Sequence, residues 1–341
     1  MVLRSRERGR VGRRRHPLQS PLSKGRGLCA VYPLPVKRLG AGTTSFLEMP
    51  KAGIVTVVGK PNAGKSTLLN RIIGEKLSIV SPKPQSTRDR IVGIHTEGDV
   101  QMIILDTPGL LDPRYPLQQA MRATALSALH EADVVLYLLD GSERDVQDLQ
   151  TVAQLDRPVR AQVITAVNKI DTLNETQRGE WRARLPEAAL ISAQTGEGVP
   201  GLLERLGAPL PESPFLYPDD EISTQTVRFF VAELVRETAL EQLDDEVPYS
   251  VACEIEEFRE SQTPVYIRAV LHVERDSQKR ILIGAGGQRV RAIGREARRK
   301  IEAFVGSSVY LDLWVKVLPN WRRSAPALRR LGYSLPEDRS S

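Results

Sequence analysis

The chain has 341 residues, 41% of them hydrophobic, and a formal net charge of +6. This length is sufficient for two domains, since a single core stops growing well before that size. Only Cys29 and Cys253 are present, which excludes a disulfide framework or a cysteine-rich metal site and favours a reducing, intracellular compartment. No apolar run approaches the roughly 20 residues that cross a bilayer, so we expect a soluble protein in which peripheral membrane contact stays open.

Residues 1–50 mix Arg, Gly, Pro and Ser without helical or strand periodicity, and hold eleven basic side chains against two acidic ones. We therefore expect a basic, disordered extension. Three explanations are open: a gene start assigned too far upstream, an organelle transit peptide, or a basic arm for nucleic acid. The first is favoured because Met49, the alternative initiator, lies just before the first predicted strand.

From Gly53 onward, apolar strands alternate with amphipathic helices, the pattern of a mostly parallel sheet covered on both faces. It predicts an α/β domain over residues 51–207 with a helix at Ser66–Ile73. The predicted strands are Ile54–Val58, Met102–Leu105, Val134–Leu139, Val163–Val167 and, more weakly, Ala188–Ile191.

Four prolines in residues 207–220 prevent a regular helix and predict an interdomain linker, placed at residues 208–224. The order that follows is helix, strand, strand, short helix, glycine loop, helix, strand. It predicts a smaller α+β domain of the type II KH class at residues 225–334, followed by a tail at 335–341. Its predicted elements are a helix at Thr226–Leu243, strands at Tyr249–Phe258 and Val265–Val273, a helix at Gln288–Phe304 and a strand at Val309–Val317.

The run Gly59–Ser66 matches GxxxxGKS between a predicted strand and a predicted helix, the context that a P-loop requires. Glycines permit a tight loop whose backbone N–H groups and positive helix end face phosphates. Lys65 is expected to bridge the β- and γ-phosphates, and the Ser66 hydroxyl to bind Mg²⁺. The predicted phosphate-binding residues are Gly59, Asn62, Ala63, Gly64, Lys65, Ser66 and Thr67.

Asn168, Lys169 and Asp171 form a sequence at a predicted strand end that resembles the NKxD guanine signature of the GTPase superfamily. An aspartate there accepts two hydrogen bonds from the guanine N1–H and exocyclic amine, a pair that adenine does not offer. Ser192 and Ala193 resemble the fifth GTPase motif, whose backbone contacts the guanine carbonyl. The pattern therefore predicts GTP and GDP rather than ATP.

Two further motifs predict the γ-phosphate sensors. Asp106 and Gly109 supply a DxxG element, with Asp106 holding Mg²⁺ and the Gly109 N–H contacting the γ-phosphate. Residues 84–88 occupy the place of switch I, where Thr87 is favoured over Ser86 as the Mg²⁺ ligand. The predicted catalytic residues are Lys65, Thr87 and Gly109, and the predicted metal ligands are Ser66, Thr87 and Asp106.

Two positions qualify the expected chemistry. Leu110 stands where Ras-like enzymes carry the glutamine that orients the attacking water. Intrinsic hydrolysis should therefore be slow, with the water positioned by backbone, by another side chain or by a partner. Asn62 resembles the asparagine that coordinates an activating K⁺ in some GTPases, and a loop-capping role is equally open.

Residues 281–290 fit the KH pattern IIGxxGxxI, whose glycine loop lets an RNA backbone approach closely and clamps about four nucleotides. Residues 275–330 hold fourteen basic side chains against four acidic ones, which favours a polyanion as partner. Between the glycines, where KH loops often carry a basic residue, this loop has Ala285 and Gly286. The predicted RNA-binding residues are Gly284, Ala285, Gly286, Gly287, Arg289, Arg291, Arg295 and Arg298.

The runs GKPNAGKSTLLN, KPQSTRDRIVGI, DTPGLL, NKID, IGAGGQRVRAIG and VKVLPNWRR together resemble the Era family of GTPases across residues 52–334. The departures are Ser86 in a switch that usually contains two threonines, Ala285, and the unmatched extension. The resemblance implies binding to the 3′ end of 16S rRNA, a role in assembly of the 30S ribosomal subunit, GTP-dependent RNA affinity, a cytoplasmic location and loose inner-membrane association. No DNA partner is expected, and the protein is expected to be a monomer.

These observations predict a switch in which GTP and Mg²⁺ order switch I and align the KH groove, and in which hydrolysis lowers RNA affinity. Two alternatives belong to other classes. One is a constitutive RNA-binding module in which the nucleotide is structural. The other is a membrane-remodelling or transport GTPase, disfavoured because no long amphipathic or transmembrane segment accompanies the G domain.

Overall fold

A computed structural model describes residues 3–4, 49–81, 83, 85–143 and 146–336. The expectation of a disordered extension concerns residues that fall mainly outside this description, as do the last five residues of the expected tail. The first described element is a two-residue strand, β1 (Leu3–Arg4).

The first domain contains a six-stranded sheet in the order β3-β4-β2-β5-β6-β7. All its neighbouring strands are parallel except β3 and β4. Its elements are β2 (Lys51–Val58), α1 (Lys65–Ile73), β3 (Ile91–Glu97), β4 (Val100–Asp106), α2 (Pro116–Glu131), β5 (Val134–Asp140), α3 (Leu149–Ala153), β6 (Gln162–Asn168), α4 (Glu175–Arg184), β7 (Ala189–Leu190) and α5 (Val199–Gly207).

The edge strand β3 was not among the predicted strands. It forms an antiparallel hairpin with β4 around Gly98, whose φ of +58° suits a tight turn. The sequence of β3 does not show a strand pattern, because Gly93 interrupts the apolar run and the strand ends in polar residues. A Cβ on Gly93 would lie 2.6 Å from Leu69 Cδ1, so α1 packs directly on the strand backbone here.

Helices cover both faces of this sheet, as the near-continuous apolar strands predict. On one face, Leu68 of α1 and Leu202 of α5 are fully buried in a cluster with Val55 and Val57. On the other, α2 and α4 pack against Val135 and Tyr137 of β5. The carboxyl ends of β2, β4, β5 and β6 consequently meet at one uncovered edge, where ligands bind in open α/β sheets.

The proline-rich stretch after α5 is hydrogen-bonded to the opposite edge of the sheet. Pro211 O accepts from Ala52 N at 3.2 Å, and Ser213 N donates to Pro50 O at 2.8 Å. The Gln101 side chain accepts from the backbone N–H groups of residues 216 and 217. The stretch then enters β8 (Glu221–Ser223), which pairs antiparallel with β1.

The second domain is a three-stranded sheet packed against two long helices. The strand order is β11-β10-β9, with β10 parallel to β11 and antiparallel to β9, which confirms the predicted KH class. Its elements are α6 (Val227–Gln242), α7 (Val247–Ser250), β9 (Ala252–Arg259), β10 (Val265–Val273), α8 (Asp276–Ile283), α9 (Gln288–Val305), β11 (Val309–Val317) and α10 (Ala325–Arg330).

One predicted boundary in this domain was wrong. The strand expected to begin at Tyr249 begins at Ala252, because Pro248 occupies the first turn of the short helix α7, where its missing N–H costs nothing. The apolar stripe of α9 is core, as expected: Ile293, Ala297 and Ile301 are fully buried. None of the helices in the described part of the chain has a stretch apolar and long enough to traverse a lipid bilayer.

Candidate nucleotide and RNA sites

The loop between β2 and α1 is tightly packed from behind. An ideal Cβ on Gly59 would lie 2.3 Å from Leu138 O, and one on Gly64 would lie 2.1 Å from Asn168 Nδ2. Gly64 also has a φ of +95°, which disfavours any other residue. Glycine is therefore required at both positions, because neighbouring atoms lie where a side chain would be. The loop between the two glycines leads into the N-terminus of α1.

Lys65 lies almost completely buried beneath this loop. Its Nζ donates to Gly59 O at 3.2 Å and to Lys60 O at 3.0 Å. Burial lowers the pKa of Lys65 to about 8, and the nearby Asp106 carboxylate partly offsets that effect. The loop carbonyls thus hold the Lys65 ammonium group at the phosphate-binding loop. A bound phosphate would stabilise the charged form of this group.

The three predicted metal ligands converge. Ser66 Oγ donates to Asp106 Oδ2 at 2.7 Å and lies 2.9 Å from Thr87 Oγ1. Burial raises the pKa of Asp106 despite the opposing effect of Lys65, and Asp106 Oδ1 has no hydrogen-bond partner among the described residues. Two hydroxyls and one carboxylate are the hard oxygen donors that Mg²⁺ takes alongside phosphate and water, so the residues fit this ion.

A cavity of about 340 Å³ opens in front of these groups. Most of the predicted phosphate-binding residues line it, together with residues of both switch segments. Its lining includes Pro61, Asn62, Gly64, Lys65, Ser66, Thr67, Gln85, Ser86, Thr87, Gly109, Leu111 and Lys169. The predicted nucleotide-site residues that do not belong to this lining are Gly59, Ala63, Asp106, Asn168, Asp171, Ser192 and Ala193.

Gly109 and Leu110 attach the DxxG segment to the P-loop. A Cβ on Gly109 would lie 2.8 Å from Pro61 Cα, and Leu110 N donates to Gly59 O at 3.0 Å. The Leu110 side chain is 3% exposed and packs in the core with residues such as Val58. It points away from the cavity, so it takes no part in orienting water.

Asn168 joins the P-loop to the fifth motif. Its Nδ2 donates to Ala63 O at 2.8 Å, and its Oδ1 accepts from Ala193 N at 2.9 Å. Ser192 is fully buried, and its Oγ accepts from the backbone N–H of residue 195 at 3.0 Å. Asp171 lies exposed in the 3₁₀ turn Ile170–Thr172, directly after these braced residues.

Two side chains that support this region, Asp140 and Arg71, were not among the residues predicted from the sequence. Lys169 adopts a φ of +67° and its Nζ donates to Asp140 Oδ2 at 2.6 Å. Burial raises the pKa of Asp140, but hydrogen bonds from Lys169 and Ser142 outweigh it and leave the pKa below its ordinary value. Arg71 Nε donates to Ala193 O at 3.1 Å. The position of Asp140 at a strand end was the available signal.

The glycine loop of the KH domain joins α8 to α9. Gly284 and Gly287 have φ values of +72° and +79°, and a Cβ on Gly284 would lie 2.8 Å from Arg289 Cβ. Residues 285–287 form a 3₁₀ turn, with Ala285 and Gly286 exposed at its tip. The backbone is thus open to a close-lying strand of nucleic acid at the N-terminus of α9.

The predicted arginines of α9 are all exposed, but two of them fold back on the loop. Arg289 donates to Ile281 O at 3.1 Å, and Arg291 donates to Gly286 O. Arg295 and Arg298 lie further along the helix. Arg291, Arg295 and Arg298 share one face of the helix, at i, i+4 and i+7 spacing, and Arg289 lies on a different face beside the loop.

Switch I is in contact with the KH domain, which the sequence did not indicate. Arg88, 4% exposed, donates to Val251 O at 2.6 Å and to Tyr249 O at 3.0 Å. Its guanidinium carbon lies 5.6 Å from the centre of the Trp321 ring. The residue after the expected Mg²⁺ ligand Thr87 is thus anchored in the second domain.

Comparison with known proteins gives matches over both domains. Residues 54–169 match the family described as 50S ribosome-binding GTPase, and residues 246–322 match the KH domain family. GTPase Era of Pseudomonas syringae pv. tomato is 43% identical over 291 residues, which cover 83% of this chain and 97% of that protein. GTPase Era of Carboxydothermus hydrogenoformans is 40% identical over 296 residues, 83% of this chain and 98% of its own.

Two solved structures are similar over the same region. A variant of Aquifex aeolicus Era bound to GDP·AlF4⁻ has a TM-score of 0.78 and 38% identity, and covers 84% of this chain and 100% of its own. The same values hold for Era in complex with MgGDPNP and nucleotides 1506–1542 of 16S ribosomal RNA. With this similarity over both domains and the geometry above, the chain belongs to the Era family of GTPases.

Proposed function

We propose that this protein binds and hydrolyses GTP with Mg²⁺, and that its KH domain binds single-stranded rRNA at the 3′ end of 16S rRNA during assembly of the 30S subunit. The observation that carries the proposal is the convergence of Ser66, Thr87 and Asp106 in front of a P-loop whose rear is braced by Asn168. We assign the G domain to residues 51–207, the linker to 208–224 and the KH domain to 225–334.

The hydrolytic step uses few side chains. Lys65 and the backbone N–H groups of the P-loop hold the phosphates and stabilise the charge that develops on them. Thr87 and the Gly109 N–H sense the γ-phosphate. Bound Mg²⁺ supplies charge neutralisation of the phosphate oxygens. Because Leu110 is buried in the core, the attacking water is oriented by other groups and unassisted turnover is slow.

Guanine selection rests on Asp171, which accepts from the N1–H and the exocyclic amine. Asn168 braces the P-loop and the Ser192–Ala193 segment at once. Lys169, held by Asp140 at 2.6 Å, lines the cavity. The guanine and phosphate parts of the site are therefore joined by hydrogen bonds, so a guanine nucleotide fits a surface already organised for it.

RNA binding rests on the exposed glycine loop of residues 284–287 and the arginines that follow. The Era structure solved with MgGDPNP contains nucleotides 1506–1542 of 16S rRNA, which supports the same class of ligand here. Affinity for RNA comes from contacts to its phosphates by Arg289, Arg291, Arg295 and Arg298. The glycine loop lets the RNA backbone approach the protein closely. GTP-dependent alignment of this surface makes the protein a switch.

Calorimetry with GTP, GDP and ATP tests the nucleotide assignment, and a multiple-turnover phosphate-release assay tests hydrolysis. ATP binding tighter than GTP would overturn the proposal. Binding of a 16S 3′-end oligonucleotide is then compared with GDP and with a non-hydrolysable GTP analogue. Equal RNA affinity in the two states, without turnover, would support instead a constitutive RNA-binding module in which the nucleotide is structural.

Four further assignments complete the proposal. We infer an activating K⁺ at Asn62, which lines the cavity with a φ of +64°, and comparison of hydrolysis in K⁺ and Na⁺ tests it. We place the protein, as a monomer, in the cytoplasm, with peripheral contact at the inner membrane. Liposome sedimentation with and without RNA tests the membrane contact.

A further inference from the structure

The segment that leads into switch I lies along α6, the first helix of the KH domain. Val80 N donates to Glu237 Oε1 at 3.3 Å. Lys83 Nζ donates to Leu240 O at 2.6 Å and to Leu243 O, at the C-terminal end of α6. Arg236 donates to Ser86 O at 2.6 Å. One helix of the second domain therefore holds the nucleotide-sensing segment of the first at three points.

Arg236 is fixed before it reaches switch I. It is 2% exposed, and its Nε donates to Glu233 Oε1 at 2.8 Å while a second nitrogen contacts the other carboxylate oxygen. A paired, buried guanidinium on a helix is a rigid donor, because its rotamer is already selected. The Ser86 carbonyl that it holds belongs to the peptide unit leading into Thr87. Its hydrogen bond thus constrains the backbone of the expected Mg²⁺ ligand.

Glu237, the next residue, connects three parts of the molecule. Its carboxylate is 1% exposed and accepts from Lys76 Nζ at 2.6 Å, from Lys300 Nζ at 3.2 Å and from Val80 N. Lys76 follows α1 in the G domain, and Lys300 lies on α9, the helix after the glycine loop. A buried carboxylate is stable only with such partners, so displacement of any of them has a cost.

We propose that α6 is a positioning element for the nucleotide site: Arg236 sets the backbone that presents Thr87, and Glu237 relays that arrangement to α9 through Lys300. The inference rests on the proposed function and names how its two sites are coupled. Binding of a γ-phosphate fixes Thr87, and binding of RNA fixes α9. Both events favour the same position of α6. By linkage, each ligand then raises the affinity of the other by the same factor.

Arg236→Gln tests the nucleotide half. We expect about tenfold weaker binding of a non-hydrolysable GTP analogue, a size typical of coupling energies, with GDP affinity within about twofold of wild type. Arg236→Lys keeps a donor for Ser86 O and restores part of the loss. Arg228→Gln is the matched control, because Arg228 on the same helix donates to Ile255 O within the KH domain. An equal loss of GDP affinity, or no change in the ratio, overturns the proposal.

Lys300→Met and Glu237→Gln test the relay. The readout is the ratio of RNA affinities, for a 16S 3′-end oligonucleotide, with the GTP analogue and with GDP. We expect this ratio to fall toward one in Lys300→Met and to fall by less in Glu237→Gln, because there Lys300 keeps its ion pair with Glu241 at 2.7 Å. The ratio should be unchanged in Arg299→Gln, whose side chain is paired with Glu296 on the exposed face of α9. A ratio preserved in Lys300→Met overturns the relay, whereas absent GTP or RNA binding by the wild-type chain overturns the proposed function itself.

Discussion

The side-chain amide of Asn168 fills the space that a side chain on Gly64 would need. A Cβ on Gly64 would lie 2.1 Å from Asn168 Nδ2, which donates to Ala63 O at 2.8 Å. The last glycine of the phosphate loop and the first residue of the guanine motif are thus fitted to each other. Two motifs more than a hundred residues apart act as one packed unit.

Gly64→Ala should therefore weaken GTP and GDP binding alike. The new methyl group displaces Asn168 from both Ala63 and Ala193, and we expect a loss of about 100-fold in affinity, close to 3 kcal/mol. Calorimetric titration measures it. The control is Gly179→Ala in α4, where a Cβ meets open space and should stabilise the fold by about 0.5–1 kcal/mol. Unchanged GDP affinity in Gly64→Ala would contradict this interlock.

Thr87→Ala should raise the Mg²⁺ concentration needed for half-maximal hydrolysis by at least about tenfold, because one of three converging oxygen donors is lost. The measurement is a Mg²⁺ titration of phosphate release at saturating GTP. Thr87→Ser keeps the hydroxyl and should stay near wild type. A Ser86→Ala variant with the larger defect would instead identify Ser86 as the ligand.

The buried Lys65 makes the stability of the nucleotide-free protein depend on pH. Its folded pKa is about 8 against an ordinary value of 10.5, so between these values the unfolded chain holds a proton that the folded chain has lost. The contribution of Lys65 to the free energy of unfolding therefore rises with pH through this window. Below about pH 8 both states are protonated and the full cost of burying the ammonium remains.

Lys65→Met removes that titration. Relative to wild type, the variant should be more stable at pH 7.5, and its advantage should shrink by roughly 2 kcal/mol by pH 10. Urea unfolding of both proteins without nucleotide, at the two pH values, gives the difference directly. A constant difference across the range would show that Lys65 does not titrate there. Nucleotide binding should be lost in the same variant.

Much of this architecture follows from local sequence, because loop chemistry is local. The P-loop and the glycine loop at Gly284 are short runs whose glycines satisfy steric demands of the adjacent backbone. The strand β3 was missed because its glycine and polar end serve packing on α1 and a hairpin turn, and both are tertiary requirements. The same limit applies to Arg88 and Arg236, because no local pattern marks them and they are buried only where the two domains meet.

Asp140→Asn should weaken guanine-nucleotide binding by about tenfold, or 1.4 kcal/mol. The Lys169 backbone adopts a left-handed conformation that non-glycine residues rarely take, and its ion pair with Asp140 at 2.6 Å helps to hold it. An asparagine retains the size but not the charge. Glu175→Gln, which removes only exposed pairs on α4, is the control and should change affinity by less than about twofold. Equal effects of the two changes would show that the ion pair has no role in binding.

Leu110→Gln should fail to create a faster enzyme, although it restores the residue type that Ras-like enzymes use. The side chain at this position is 3% exposed and packs against α2 and β2, so the amide enters the core rather than the cavity. Burying it without partners should cost about 1–3 kcal/mol of unfolding free energy with no gain in kcat. Leu111→Gln, at the half-buried neighbour that lines the cavity, should cost less. A rise in kcat for Leu110→Gln would mean that the DxxG segment changes conformation during the reaction, since only such a movement brings residue 110 to the γ-phosphate.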